Sequence, residues 1–231
     1  MRNLNLTTRR EETREKRHSR VIKFEIEQIK EHFDENISDI ENQFKIIDML
    51  DKDNDKDKID CILRSQIVFL GSSVDFYFHE ITKYGLMKIY DKVWEKTDNY
   101  KKIKINIEVV FKALEAGNDS EWFIEFIDSE YRGVTMMSWR SITNQIDLIG
   151  LDINEIAEKV FTNNDLKKSK KIDELKKIVT ALFKRRNSIA HQFDRRHNDA
   201  IRKDISKSEV VNFINNIKKI VYAVHETLLE K

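Results

Sequence analysis

The chain has no proline at any of its 231 positions and only five glycines, which limits the folds open to it. Proline stops helices and glycine weakens them, whereas the abundant Lys, Glu, Ile and Leu are all compatible with helices. Apolar residues make up 40% of the chain and charged residues 36%, so it can form a core while keeping a highly charged surface. These features predict an all-α protein.

Apolar side chains recur at steps of three and four in the first part of the chain, as they do on one face of a helix. One series runs from Ile22 to Ile47, and a second covers residues 59–84, with Gly85 expected to loosen its end. The polar run DKDNDKDKID separates them and lacks the glycine and glutamate positions of an EF-hand calcium loop. We therefore expect two long helices that pack antiparallel across a short solvated connection.

The middle of the chain, residues 86–150, contains all three tryptophans and shows no long helical pattern. Several short helices are expected there, with a two-stranded element as the alternative. Farther on, Asp152 and Ser206 are expected to cap two helices, and another long helix leads from Ile172 into the sequence RRNSIAHQFDRR. The predicted fold is a helical bundle in one domain over residues 21–231, after a basic leader at residues 1–20.

Several functional classes are excluded by composition. No apolar run reaches the roughly 18 residues that a membrane span needs, and the first residues are too polar for a signal peptide, so a cytoplasmic protein without membrane contact is expected. The single cysteine, Cys61, is expected to be a small core residue. The histidines lack the spacings of a zinc site, so neither a metal nor another cofactor is expected.

The charge is unevenly distributed along the chain. Residues 165–203 contain thirteen Lys/Arg and five Asp/Glu, a net charge of +8, whereas the rest of the chain has −7 and the whole has +1. A basic tract of this kind is where a polyanion would bind, although the same charges also suit the solvated face of a helix. The sequence RRNSIAHQFDRR lies inside this tract.

The side chains of RRNSIAHQFDRR are suited to chemistry at phosphate. Asn187 and His191 are four residues apart and share a helical face, while Arg186 is five residues from His191, roughly 140° around a helix. Arginine binds phosphate oxygens in a forked geometry, and histidine can accept or donate a proton near neutral pH. These groups suit RNA cleavage by attack of the 2′-OH, in which one group removes a proton and another protonates the leaving oxygen. One histidine cannot easily do both, so a homodimer with two facing copies is attractive.

The same residues carry a resemblance to a known family. An arginine, four intervening residues and a histidine, with a polar residue after the arginine, resemble the signature of HEPN domains, helical bundles many of which are ribonucleases. Two segments, RNSIAHQFD and RSQIVFLGSSVDFYFHEIT, are further similar to the RiboL-PSP-HEPN branch found in prokaryotic defence and conflict systems.

The resemblance implies a metal-independent endoribonuclease that acts as a toxin-like or antiviral effector at a dimer interface. It assigns catalysis to Arg186, Asn187 and His191. Neighbouring charged residues are expected to contact RNA, and polar residues of the second segment are expected to support the site. The expected contacts to RNA are Arg185, Asp194, Arg195, Arg196 and His197, and the expected supports are Arg64, Asp75, Tyr77 and His79.

Two other functional classes fit the same residues. The chain could be a non-catalytic module whose arginines hold RNA or an acidic partner protein, including a regulatory partner, or a scaffold whose first helix pairs with another helix. Asp75 and His79 could equally be an ordinary buried pair, and Trp122, Phe123 and Phe126 are expected in the core rather than stacked on bases. The remaining histidines, His18, His32 and His225, are expected at the surface.

Overall fold

The computed structural model describes residues 23–52, 55–117, 119–162 and 166–231, so the expected leader at residues 1–20 and His18 lie outside the described residues. Within these ranges the chain is all-α, as predicted, and contains no β-strand. The helices are α1 (Ile26–Asn42), α2 (Phe44–Lys52), α3 (Lys56–Tyr90), α4 (Ile107–Ala116), α5 (Glu121–Tyr131), α6 (Trp139–Leu148), α7 (Ile153–Val160), α8 (Lys168–Gln192) and α9 (Lys207–Leu229), with a short 3₁₀ turn at Tyr100–Lys102.

The first apolar series forms two helices rather than one. α1 ends at Asn42, and α2 starts at Phe44 after Gln43, whose backbone remains in the right-handed helical region. The face of α1 that carries Ile29, Phe33 and Ile37 is buried against α3. The Gln66 side chain donates to the Ile40 carbonyl at 2.8 Å, and Tyr77 meets Phe33, so α1 and α3 run antiparallel as predicted.

α3 extends beyond its predicted end. Gly85 does not loosen the helix, which continues to Tyr90. A Cβ at Gly85 would lie 2.7 Å from Ile149 Cγ2 and 3.0 Å from the Trp94 ring, so this glycine allows the segment after α6 to pack closely against α3. With 35 residues, α3 passes through the whole core and contacts both α8 and α9.

The middle region forms short helices, as expected, and the two-stranded alternative is wrong for the residues that the structure describes there. Phe123 and Phe126 are buried and Trp122 is partly buried in the core, which confirms their predicted core position. Both predicted caps are present: the Asp152 side chain accepts from the Asn154 N–H at 2.8 Å, and Ser206 accepts from the Glu209 N–H at 3.1 Å.

Two predictions about individual side chains are wrong. Cys61 is exposed rather than buried, because it lies on the outer face of α3 while Leu63 and Arg64 point inward. His225, expected at the surface, is 6% exposed and lies about one turn before the end of α9. Both residues occupy helices with a core-facing and an outer side, and their neighbours alone did not indicate which side each would occupy.

Candidate functional site

The last turns of α8 bring Arg186 and Asn187 into contact. Arg186 is half-buried, and its Nη1 donates to Asn187 Oδ1 at 3.1 Å. Its side chain lies against Gly71 of α3, where an added Cβ would be only 2.9 Å from Arg186 Cγ and 2.9 Å from Met137 Cε. Gly71 therefore leaves the space in which the arginine lies, and Asn187 is the acceptor that orients its guanidinium.

His191 lies in the last turn of α8 and is exposed to solvent. α8 is continuous from Lys168 to Gln192, so Asn187 and His191, four residues apart, share one helical face. Within the described part of the chain, the imidazole of His191 has no hydrogen-bond partner, and Arg186 forms no ion pair. The helix dipole also favours a histidine at a helix C-terminus, which is a purely structural explanation for His191. The dipole does not explain why Arg186, in the preceding turn, has no ion-pair partner among the described residues.

Asp194, two residues after α8, is the centre of a buried ionic network. It is 0% exposed, and its carboxylate accepts from Arg185 Nη1 at 2.6 Å and from Arg64 Nε at 3.1 Å. Ser188 Oγ lies 3.4 Å from the same carboxylate. A carboxylate with two charged donors and no exposed atom satisfies the rule that buried charges are paired.

Both arginines of this network also hold the loop between α8 and α9, residues 193–206. Arg64 Nη2 donates to the Lys203 carbonyl and Arg185 Nη2 to the Asp204 carbonyl, each at 2.7 Å. Arg185 Nε further lies 3.1 Å from Glu209 Oε1 at the start of α9. Arg64, expected as a support, and Arg185 and Asp194, expected to contact RNA, all hold this loop in the structure.

The outer surface of this loop is basic. Arg195, Arg196 and His197 are all exposed, which is compatible with the RNA contacts expected of them. Arg195 Nη1 donates to the Ala200 carbonyl at 2.6 Å, and Arg196 lies 3.4 Å from Asp199. Since neither contact buries its arginine, both cations remain accessible to phosphate.

Asp75 and His79 of α3 fasten the segment between α5 and α6. Asp75 Oδ1 accepts from the Met136 N–H at 2.5 Å, and His79 Nε2 donates to the Val134 carbonyl at 2.8 Å. The next residue, Met137, lies against Gly71 and so beside Arg186. Asp75 and His79 are therefore linked to Arg186 through this segment. A cavity of about 330 Å³ lies beside them, but its lining residues come from α3, α5 and Arg132, and none comes from α8.

Tyr77 lies away from the motif. It is fully buried, its hydroxyl donates to the Val221 carbonyl at 3.4 Å, and its ring packs edge-on against Phe33 and Phe78. Burial, with the nearby charge of Asp34, raises the pKa of Tyr77 far above its ordinary value. Of the four supporting residues expected from the sequence, Tyr77 thus belongs to the core between α1, α3 and α9 rather than to the site.

Sequence reasoning missed Gly71, against which the side chain of Arg186 packs, and Met137, whose side chain lies against the same glycine. A signal for Gly71 was present, because a glycine inside an otherwise helical pattern often marks a close approach of neighbouring groups. No such signal exists for Met137, because only the tertiary packing brings it close to Gly71 and the end of α8.

Neither a metal centre nor a membrane span is found in the part of the chain that the structure describes. No group of three or more His, Cys, Asp and Glu side chains there is placed to hold a metal ion. None of the helices there is both long enough and apolar enough to cross a bilayer.

Comparison of the chain with known proteins gives no match to any family model, to any curated protein or to any solved structure. The resemblance to HEPN domains therefore depends on the residues of the two sequence segments alone.

Proposed function

We propose that the protein is a metal-independent endoribonuclease of HEPN type, with Arg186, Asn187 and His191 as its catalytic residues. The observation that carries this proposal is the exposed imidazole of His191 without a hydrogen-bond partner, on the same helix end as Arg186, a half-buried arginine without an acidic partner. A cation that is partly removed from water and lacks a counter-ion favours an anionic ligand.

RNA is the anion that best fits this arrangement. The phosphodiester would lie on Arg186, and the 2′-OH of the preceding ribose would attack phosphorus as the bond to the 5′-oxygen breaks. A base takes the proton of the 2′-OH, an acid protonates the leaving 5′-oxygen, and the products are a 2′,3′-cyclic phosphate and a 5′-hydroxyl. Arg186 stabilises the charge that develops on the phosphate oxygens, and Asn187 fixes the guanidinium through Nη1.

A homodimer completes this mechanism. Each chain has one histidine in the motif, whereas the reaction needs an acid and a base. A twofold axis near the ends of the two α8 helices would supply two histidines and two arginines to one phosphate. The basic outer surface of residues 193–206 would then flank the composite site on both sides. The resemblance to the HEPN branch of defence and conflict systems implies the biological role we propose, a toxin-like or antiviral effector that cleaves RNA.

Cleavage assays in EDTA test the proposal directly. Wild-type protein, His191→Ala and Arg186→Ala would be incubated with a structured RNA and total tRNA, with Gln192→Ala as a control that alters an exposed neighbour to which no catalytic role is assigned. We expect fragments with 2′,3′-cyclic phosphate ends from wild type and Gln192→Ala, and a loss of cleavage of at least about 100-fold in the other two.

Each alternative predicts a different result. If His191→Ala cuts as wild type does, the histidine is not catalytic and the proposal fails. If no protein cuts but wild type binds RNA, the non-catalytic binding module is the better description. Sedimentation velocity at the assay concentration tests the dimer, because a monomer that cleaves at full rate would exclude a composite site.

A further inference from the structure

Phe193, the residue that follows α8, has a backbone conformation that is unusual for a bulky residue. Phe193 has φ 53° and ψ 30°, in the left-handed region, and the following Asp194 also has a positive φ of 60°. The left-handed position that ends a helix is normally taken by glycine or asparagine, because other side chains are strained there. Such strain persists only where the surroundings impose it, and it concentrates at functional positions.

The surroundings that impose this conformation are the buried contacts of Asp194. Its carboxylate is held by Arg64 and Arg185, its N–H donates to the Ser188 carbonyl at 2.9 Å, and its carbonyl accepts from the Lys203 N–H at 2.9 Å. With Asp194 fixed on both sides, the chain before it must turn sharply. The side chain of Phe193 is consequently directed outward.

Phe193 is 68% exposed and lies two residues after His191. The guanidinium of Arg202 lies 5.1 Å from the centroid of the Phe193 ring, and an antiparallel bridge between Arg195 and Arg202 brings that arginine beside the ring. The exposure leaves ring surface that Arg202 does not cover. An aromatic ring together with arginines is the combination that binds single-stranded nucleic acids, where bases stack on the ring and cations hold phosphates.

An isolated exposed apolar residue is common on protein surfaces and by itself indicates nothing. Phe193 differs from such a residue in three respects: its backbone is strained, its conformation is fixed by a buried ionic network, and a guanidinium lies over its ring. A helix end that served only to turn the chain would be less strained with glycine at this position.

We propose that Phe193 and Arg202 form a stacking site for one unpaired nucleobase of the RNA, next to the phosphate that is cleaved. This inference rests on the proposed ribonuclease function and narrows its substrate to single-stranded or looped RNA, because a base inside a duplex has no free face. Arg195 and Arg196, exposed on the same loop, hold the phosphates on either side of the stacked base.

Binding measured without cleavage tests the stacking site. The parent protein is full-length His191→Ala, and the probes are a fluorescein-labelled 12-nucleotide single-stranded RNA, the same RNA with one abasic position, and a duplex of equal length, all at 150 mM salt. In this parent, Phe193→Ala should weaken single-strand binding by roughly 5- to 150-fold, the usual effect of removing one stacked base. Duplex binding should not change, and Phe193→Trp should restore the single-strand affinity.

Two further variants separate stacking from structural effects. Phe193→Gly removes the ring and relieves the left-handed strain, so it should raise the melting temperature while it weakens single-strand binding as much as Phe193→Ala does. Leu114→Ala shortens another strongly exposed apolar side chain, on α4, and should leave binding unchanged. An abasic position that removes the stacked base should weaken binding to the parent protein. In the Phe193→Ala protein, the same abasic RNA should bind almost as tightly as the complete RNA, because the ring is already absent.

The outcomes distinguish this inference from the function on which it rests. If the parent binds neither RNA and wild type does not cleave, both proposals fail. If wild type cleaves RNA but Phe193→Ala binds single strands as tightly as its parent, the stacking site alone is overturned. Equal losses for single strands and duplexes would also overturn it, since they would indicate a lost charge or an altered loop.

Discussion

Replacement of Asp194 by asparagine should strongly destabilise the fold, because the carboxylate neutralises two cations that have little access to water. Asp194 is 0% exposed, and the side chains of Arg64 and Arg185 are 9% and 11% exposed. Removal of one member of a buried ion pair typically costs about 3–5 kcal/mol, most of it from the charge left without a partner. Arg185 retains Glu209, and Arg64 retains a 3.6 Å approach to Asp60, so we expect the lower end, about 3 kcal/mol.

Urea denaturation followed by circular dichroism at 222 nm measures this change. At an m-value of about 3 kcal/mol/M, the Asp194→Asn midpoint should fall by roughly 1 M, and the melting temperature by about 6–12 °C. Asp199→Asn is the matched control, because Asp199 pairs with Arg196 at the exposed tip of the same loop and should change stability by less than about 1 kcal/mol. Equal midpoints for Asp194→Asn and wild type would refute the claim that the network stabilises the fold.

Two other substitutions test the packing of the site and the pH dependence of the fold. Gly71→Ala should displace Arg186 and lower kcat/KM roughly 10- to 100-fold with little change in melting temperature, whereas Gly133→Ala, where an added Cβ meets nothing within 4 Å, should cut normally. Normal cleavage by Gly71→Ala would contradict this packing. Desolvation, assisted by Lys30, lowers the pKa of His225, so the unfolded chain binds the proton more readily and stability should fall as pH drops below about 6.5. His225→Asn should reduce the stability lost between pH 7.5 and 5.5 in urea titrations, and an unchanged loss would argue against this origin.

Local patterns in the sequence were sufficient for much of the fold. The caps at Asp152 and Ser206 and the apolar faces of the long helices depend on residues within a few positions of one another, and the structure contains them. The break at Gln43 could not be predicted in this way, since it involves no glycine or proline and leaves the backbone nearly helical. Gly85 misled the prediction because its role depends on Ile149, which is remote in the sequence.

The same distinction applies to the candidate site. Proximity of Arg186 to Asn187, and a shared face for Asn187 and His191, follow from helical spacing alone. The sequence could not show which charged residues face inward, because Asp194 is buried by Arg64, a partner 130 positions earlier in the chain. A buried arginine such as Arg64 and an exposed one such as Arg195 look the same in the sequence, although the first shapes the loop and the second is available to a ligand.

The loop between α8 and α9 owes its shape to buried partners rather than to the side chains on its outer surface. Arg64, Asp194 and Arg185 fix the backbone from within, while Arg195 and Arg196 contribute little buried contact. The side chains at the outward positions can therefore be substituted without a change in the backbone of the loop. Their charge and shape can diversify while the buried network stays constant. A protein built in this way can acquire a new preference for ligands through surface exchanges alone, and a designer could graft other recognition residues onto the same frame.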